Sequence, residues 1–142
     1  TKQVLVVCPT SVLPNWDREF STWGAFEVKA LSGPRRDTIR EHAELGGMEV
    51  LLASYDMFRN NIKWLSKIKW EVVIFDEAHK LKNKGSVEKP KKTYAAACKV
   101  VTRTGVRRYG LTGTVMQNDF DELWCLLDWA SPNCLGEKKS FK

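Results

Sequence analysis

The chain has 142 residues and a mass of 16.3 kDa, with 43% hydrophobic and 28% charged residues. This length suits one globular domain with a hydrophobic core and excludes a second full domain. No apolar run approaches the ~20 residues that span a bilayer, so we expect no membrane partner. The chain begins with Thr1 directly before a strand-like run, so we expect it to be part of a longer polypeptide.

The basic residues are concentrated in one part of the chain. The formal net charge is +6, yet residues 80–108 contain ten Lys or Arg residues and a single acid, Glu88. A local excess of this size attracts polyanions, and phosphate contacts supply most non-specific affinity for nucleic acids. The stretch therefore suggests a nucleic-acid partner, and a lysine-rich face that only meets solvent is the alternative.

Short apolar runs alternate with amphipathic segments of helical period, a pattern typical of repeated βα units. Strands are predicted at 4–8, 26–31, 49–53, 70–75 and 107–111, and helices at 13–23, 35–45, 55–68, 93–101 and 120–129. The first helix has an apolar stripe of Leu13, Trp16, Phe20 and Trp23, and the last has Phe120, Leu123, Trp124 and Leu127. The fourth strand is apolar without alternation, so we expect helices on both of its faces. The sequence predicts an α/β fold with a mostly parallel sheet flanked by helices.

An acidic pair follows this fourth strand, in the sequence Asp76-Glu77-Ala78-His79. The carboxyl end of a central parallel strand is where open α/β sheets bind their ligands. One carboxylate there could hold the Mg²⁺ of a nucleoside triphosphate, and its neighbour could orient and deprotonate the attacking water. We assign Asp76 to the first role and Glu77 to the second. The alternative is an ordinary helix start with an Asp cap and a first-turn Glu.

Two further turns carry hydroxyl groups next to predicted strand ends. Thr112-Gly113-Thr114 follows the fifth strand, where Gly113 would let the backbone turn sharply and the two hydroxyls could meet the acidic pair or a phosphate. Thr10-Ser11 follows the first strand, where hydroxyls and backbone N–H groups at a helix start suit a contact with a phosphate backbone. Each turn is also ordinary turn chemistry.

Together these segments resemble the first motor lobe of superfamily-two helicases, and within them the SWI/SNF-type DNA translocases. Residues 8–19, 53–56, 76–83 and 111–118 are similar to the motifs Ia, Ib, II and III of that family, in the same order. The resemblance covers nearly the whole chain. Val115 and residues 130–136 further resemble the Cockayne-syndrome-B-like, excision-repair-like branch.

The resemblance implies that residues 1–142 form part of a RecA-like lobe of a DNA-dependent ATPase, with ATP and Mg²⁺ as its ligands. Asp76, Glu77 and His79 would be catalytic, with Asp76 as the metal ligand, and the nucleotide would be bound by Asp76, Glu77, Thr112, Gly113, Thr114 and Gln117. The residues along the DNA would be Thr10, Ser11, Ser54, Tyr55, Lys82 and Asn83. Double-stranded DNA, chromatin or repair proteins, a nuclear location, and a role in DNA repair or chromatin remodelling are also implied.

The chain departs from the family pattern at two points. Val115 stands where the family usually has Pro, which adds a backbone N–H and predicts altered coupling. The phosphate-binding sequence GxxxxGK[ST] is absent, as is a second motor lobe, so we expect the chain alone to be inactive. Because the family places its phosphate-loop strand beside the motif III strand, we expect 107–111 to be an open sheet edge that promotes self-association or low stability.

Two other function classes stay open from the residues themselves. A non-enzymatic DNA-binding module would use the basic stretch and bind with a steep dependence on salt. An RNA helicase lobe of the DEAH type would use the same acidic motif with RNA as its polymer.

Overall fold

A computed structural model describes residues 2–81, 92–103, 105–114 and 120–140. Five strands lie in these ranges: β1 Gln3–Cys8, β2 Val28–Ala30, β3 Val50–Ser54, β4 Trp70–Asp76 and β5 Arg107–Leu111. The α-helices are α1 Leu13–Trp23, α2 Arg36–Glu44, α3 Tyr55–Leu65, α4 Lys92–Val100 and α5 Phe120–Ala130. Short 3-10 turns lie at Thr10–Val12, Gly33–Arg35, Ala78–Leu81 and Lys138–Ser140.

The five strands form one parallel sheet in the order β2-β3-β1-β4-β5. The register pairs Cys8 with Ser54 and Asp76 with Leu111, so the carboxyl ends of four strands meet along one edge. This edge holds the predicted site residues of β1, β3, β4 and β5. The predicted α/β class and the parallel sheet are confirmed.

The helices are divided unequally between the two faces of the sheet. Helices α2 to α5 pack on one face, over a large core that includes Leu5, Leu51 and Phe75. Helix α1 covers the other face with a smaller cluster around Val6 and Leu52. Right-handed crossovers require this division, because the chain moves one way from β1 to β2 and the opposite way at each later step.

Buried aromatic rings hold β4 against its helices. Phe75 meets Phe58 of α3 edge-on with ring centroids 5.3 Å apart and Trp129 of α5 edge-on at 4.9 Å. The indole N–H of Trp129 also donates to the carbonyl of Ala97 at 3.0 Å. Edge-to-face pairs add ~0.5–1.5 kcal/mol each beyond the buried area. The strand that ends in Asp76 is therefore anchored from two helices.

The structure corrects the predicted apolar stripes. Trp23 is 80% exposed and Phe120 60% exposed, and Leu127 is also exposed. Helix α5 turns Trp124 inward as predicted, but together with Cys125 and Trp129, and the contacts of Trp129 with Phe75 and Ala97 hold the helix in this orientation. Trp23 projects from the end of α1, where its indole donates to Glu19 on the same helix.

Strand β4 and helix α3 also differ from prediction. Val72 and Ile74 of β4 are only half-buried, because in the described chain α1 is the helix on their face of the sheet. The prediction that helices cover both faces of β4 is therefore confirmed for one face only. Helix α3 ends at Leu65 rather than at residue 68. The indole of Trp70 donates to the carbonyl of Leu65 at 2.8 Å and takes up one of the carbonyls a helix end leaves without a partner.

The described Lys and Arg residues of the basic stretch differ in their surroundings. Arg108 is not part of a charged surface, because its guanidinium donates to the carbonyls of Trp129 and Val101 at 2.9 and 3.2 Å. Lys92 and Lys99 line a groove of about 880 Å³ between α3 and α4, together with Arg59. Residues 82–91, which carry further lysines of this stretch before α4, lie outside the described residues. No described helix has the length and apolar character to cross a membrane.

Candidate nucleotide and DNA site

Asp76 stands at the carboxyl end of β4, where its side chain is held by two hydrogen bonds. Its Oδ1 accepts from the backbone N–H of Glu77 at 2.9 Å, and its Oδ2 accepts from the indole N–H of Trp16 at 2.9 Å. Within the described residues no Lys or Arg side chain forms an ion pair with it. The carboxylate is thus fixed in orientation while its negative charge is not neutralised.

Glu77 leaves β4 in a conformation that is unusual for a residue with a side chain. Its φ is +53°, in the left-handed region. Such positions cost of order 1–3 kcal/mol and persist where the surroundings enforce them. Here the hydroxyl of Tyr55 donates to the Asp76 carbonyl at 2.7 Å and lies 3.3 Å from the Glu77 carbonyl. From this turn the Glu77 carboxylate reaches His79.

His79 connects the acidic motif to the turn after β5. Its Nδ1 lies 3.0 Å from Glu77 Oε2 and 3.3 Å from Thr112 Oγ1. The Thr112 hydroxyl donates to the Thr114 carbonyl at 3.1 Å and accepts from the Thr114 N–H at 3.1 Å. Because both neighbours of Nδ1 act as acceptors toward it, Nδ1 carries the hydrogen. The arrangement joins Glu77, His79, Thr112 and Thr114 in one chain of hydrogen bonds.

The backbone at Gly113 does not adopt a left-handed conformation, since its φ is not positive. An added Cβ there would meet no described atom within 4 Å. Among the described residues, neither a left-handed turn nor a close approach of another protein group therefore requires glycine at this position. Gln117, Lys82 and Asn83 lie outside the described residues, as does Val115.

Of the predicted DNA residues, the structure leaves two on the surface and buries two. Thr10 and Ser11 are exposed on the turn before α1. Ser54 and Tyr55 are 6% and 5% exposed. The Ser54 hydroxyl accepts from the Met57 N–H and caps α3. The expectation that Ser54 and Tyr55 present side chains to DNA is thus not met in this conformation, because both hydroxyls serve the protein itself.

Tyr55 and Cys8 are two buried titratable residues that lie close to Asp76. Burial, followed by the charge of Asp76, raises the pKa of the Tyr55 hydroxyl far above its usual range and that of the Cys8 thiol to about 11. Both groups are therefore protonated at neutral pH. The ammonium of Lys80 lies over the Tyr55 ring, 5.1 Å from its centroid. Tyr55 thus contacts residues 76–80 through both its hydroxyl and its ring.

The donor set fits Mg²⁺, which keeps several waters and takes one or two carboxylates together with substrate phosphates. Asp76 supplies one such carboxylate at the rim of a cleft of about 390 Å³. Among the described residues no three His, Cys, Asp or Glu side chains cluster as an all-protein metal cage would require. The site therefore suits a cation that arrives with phosphates.

The comparisons with known proteins identify the family. The whole chain, residues 1–142, matches the SNF2-related domain, and the chain belongs to this family. Switch 2 of Arabidopsis thaliana is 45% identical over 140 residues, and the DNA excision repair protein ERCC-6-like 2 of Mus musculus is 42% identical over 142. These alignments cover 98% and 99% of this chain but 15% and 9% of the relatives.

A solved structure shows the same fold. The SWI2/SNF2 ATPase core of Sulfolobus solfataricus, determined in complex with double-stranded DNA, superimposes with a TM-score of 0.79 at 27% identity. The match covers 99% of this chain and 27% of that one. The predicted resemblance to SWI/SNF-type translocases is confirmed, and its excision-repair-like part has a counterpart in the mouse relative.

Sequence reasoning missed the contact of Trp16 with Asp76. It placed Trp16 in an apolar stripe, and no spacing along the chain reveals a contact across 60 residues. The signal that could have found it is the strand order, because β1 lies beside β4 and α1 starts just after β1.

Proposed function

We propose that the complete protein carrying this domain is a DNA-dependent ATPase that moves along double-stranded DNA in DNA repair or chromatin remodelling, in the nucleus. The observation that carries the proposal is the contact between three motifs at one edge of the sheet. Trp16 and Tyr55, from the two segments that resemble the DNA-contacting motifs, both hydrogen-bond to Asp76. A change on the DNA side can therefore reach the nucleotide side through direct contacts.

The acidic motif would perform the hydrolysis. Mg²⁺ bound with ATP would spread the charge of the triphosphate. Asp76 would hold the cation, and Glu77 would orient the attacking water and accept its proton. The hydrogen bond of His79 with Glu77 fixes the direction of that carboxylate. Thr112, Gly113, Thr114 and Gln117 are proposed to lie beside the nucleotide, and the link from Thr112 to His79 would report its state.

The DNA would lie along the exposed carboxyl edge of the sheet. Thr10 and Ser11 are the described residues there with exposed hydroxyls, at the turn that opens α1. Hydroxyls at a helix start suit phosphate oxygens and carry no base information. Lys82 and Asn83 are proposed as further DNA contacts. The duplex would therefore be held by its backbone, as movement over any sequence requires.

ATP turnover by the full-length protein tests this function, with duplex DNA, single-stranded DNA and RNA as separate stimulants. We expect duplex DNA to stimulate most, and Glu77→Gln to abolish turnover while ATP binding survives. The 142-residue chain alone is expected to show no turnover, since it contains no GxxxxGK[ST] sequence. Stimulation by RNA alone would favour the RNA helicase class. Salt-dependent DNA binding without turnover would favour the non-enzymatic module.

A further inference from the structure

We propose that Trp16 is a positioning residue for the metal-binding carboxylate: its indole N–H sets the orientation of Asp76 and thereby the affinity of the site for Mg²⁺. The inference rests on the proposed function and adds a residue to it. The contact is a 2.9 Å hydrogen bond from Trp16 Nε1 to Asp76 Oδ2, between α1 and the end of β4.

An indole is well suited to this task. It offers one N–H, accepts nothing and does not titrate, so it can orient a carboxylate at any pH. It also brings no positive charge, which leaves the full negative charge of Asp76 for the cation. The second oxygen of Asp76 is held by the Glu77 N–H at 2.9 Å. One donor on each oxygen fixes the plane of the carboxylate and leaves a lone pair on each for metal or water.

The neighbouring charged groups do not take over this role. Arg18 lines the same cleft as Asp76, yet its guanidinium donates to Asn15. An arginine on Asp76 would compete with Mg²⁺ for the carboxylate. The donor that meets Asp76 Oδ2 is the uncharged indole of Trp16, so the charge of the carboxylate is left for the metal.

Packing alone does not account for a tryptophan at this position. Trp16 is half-buried, and no residue of α1 is fully buried. Phe20, one turn later on the same helix, lies with its ring centroid 5.9 Å from that of Trp16 and covers the same cluster without a polar atom. What Trp16 adds to this face is the N–H group that meets Asp76.

The position of Trp16 also links the metal site to the proposed DNA surface. Trp16 lies on α1, directly after the turn that exposes Thr10 and Ser11. DNA binding that displaces this turn would also shift α1 and the Trp16 indole that it carries. The bond is thus a physical connection between DNA contact and metal affinity.

The test uses the full-length protein with Trp16→Phe, which removes the N–H and keeps an aromatic ring. Trp23→Phe is the matched control, since Trp23 lies on the same helix and donates to Glu19 instead. Both are made in a Glu77→Gln background, so that ATP is not consumed. Mn²⁺, a paramagnetic substitute for Mg²⁺, is titrated in the presence of ATP and its protein-bound fraction is read by electron paramagnetic resonance. DNA affinity without nucleotide is measured alongside.

Loss of a hydrogen-bond partner behind a metal ligand typically costs 10–100-fold in metal affinity. We expect Trp16→Phe to need about tenfold more Mn²⁺ for half-occupancy, with unchanged DNA affinity, and Trp23→Phe to match the parent. An unchanged Mn²⁺ titration for Trp16→Phe would overturn the proposal. If Trp16→Phe does not fold, replacing the Trp16 indole with the isosteric benzothienyl ring removes only the N–H, with the same two outcomes.

Failure of the proposed function gives a different result. In that case the protein with Glu77 intact shows no DNA-stimulated turnover, and the role of Trp16 falls with the function. If turnover is present and is abolished by Glu77→Gln, while Trp16→Phe binds Mn²⁺ normally, the function stands and the positioning role alone is wrong.

Discussion

Tyr55→Phe removes one hydroxyl from behind the acidic motif and leaves the ring in place. The lost bond is the 2.7 Å donation to the Asp76 carbonyl, in a site where Tyr55 is 5% exposed. A buried hydrogen bond of this kind contributes ~1 kcal/mol net, within a range of about 0.5–1.5. For 142 residues, 1 kcal/mol corresponds to about 3 °C in melting temperature, so we expect a decrease of about 2–5 °C.

The same change should also reduce catalysis, because the hydroxyl supports the strained turn at Glu77, whose φ is +53°. We expect the DNA-stimulated turnover number of the full-length protein to fall about tenfold, as for loss of an outer contact to a metal ligand. The assays are thermal melting of the 142-residue chain and steady-state ATP turnover of the full-length protein.

Tyr94→Phe is the matched control for Tyr55→Phe. Tyr94 on α4 is 6% exposed, and its hydroxyl forms a side-chain hydrogen bond with Cys98 on the same helix. It should lose a similar amount of stability while turnover stays unchanged. Equal turnover in the two variants would refute the reasoning that Tyr55 supports the acidic motif, and an unchanged melting temperature in Tyr55→Phe would refute the bond itself.

Three further predictions concern stability and association. Arg108→Met should lower the free energy of unfolding, measured in urea, by about 1–3 kcal/mol, because two carbonyls lose their donor. Arg107→Met, at an exposed position, should lower it by less than about 0.5 kcal/mol. The opposite ranking would show that Arg108 is an exposed surface charge. The Cys8 pKa is raised to about 11, so the fold holds this proton more tightly than the unfolded chain does. Stability should be intact below about pH 9 and fall toward pH 11, with a shallower decline in Cys8→Ala, and equal slopes would contradict this. The 142-residue chain should self-associate through the exposed β5 edge, and Tyr109→Lys should prevent this association; both are measured by light scattering. A monomeric parent chain would contradict the prediction.

The parts of the fold that follow from local pattern were predictable from the sequence. Strand β5 has the predicted bounds, and α1 has them as well, because an apolar repeat, a turn and Pro14 at the helix start define it locally. The position of Asp76 at the carboxyl end of a parallel strand was also predictable, because the apolar run before it defines β4 locally, and this is the edge of such sheets where ligands bind. That β5 forms one edge of the described sheet also agrees with prediction.

The parts that depend on contacts between distant segments were not predictable. Ser54 and Tyr55 were expected along the DNA from the family resemblance alone, and the sheet register shows that both are enclosed beside β1 and β4. Arg108 was predicted as one more charge of the basic stretch, but in the fold its guanidinium donates to the carbonyl of Trp129 on α5. A sequence reports the kind of side chain, while its partner is chosen by packing.

Movement of the full-length protein along duplex DNA tests the central claim most directly. A third strand annealed to one end of a linear duplex is released when a translocase passes beneath it. We predict ATP-dependent release by the wild-type protein, none by Glu77→Gln, and slower release at limiting Mg²⁺ by Trp16→Phe. Retention of the third strand by a wild-type protein that hydrolyses ATP would contradict the claim that the hydrolysis drives movement on DNA.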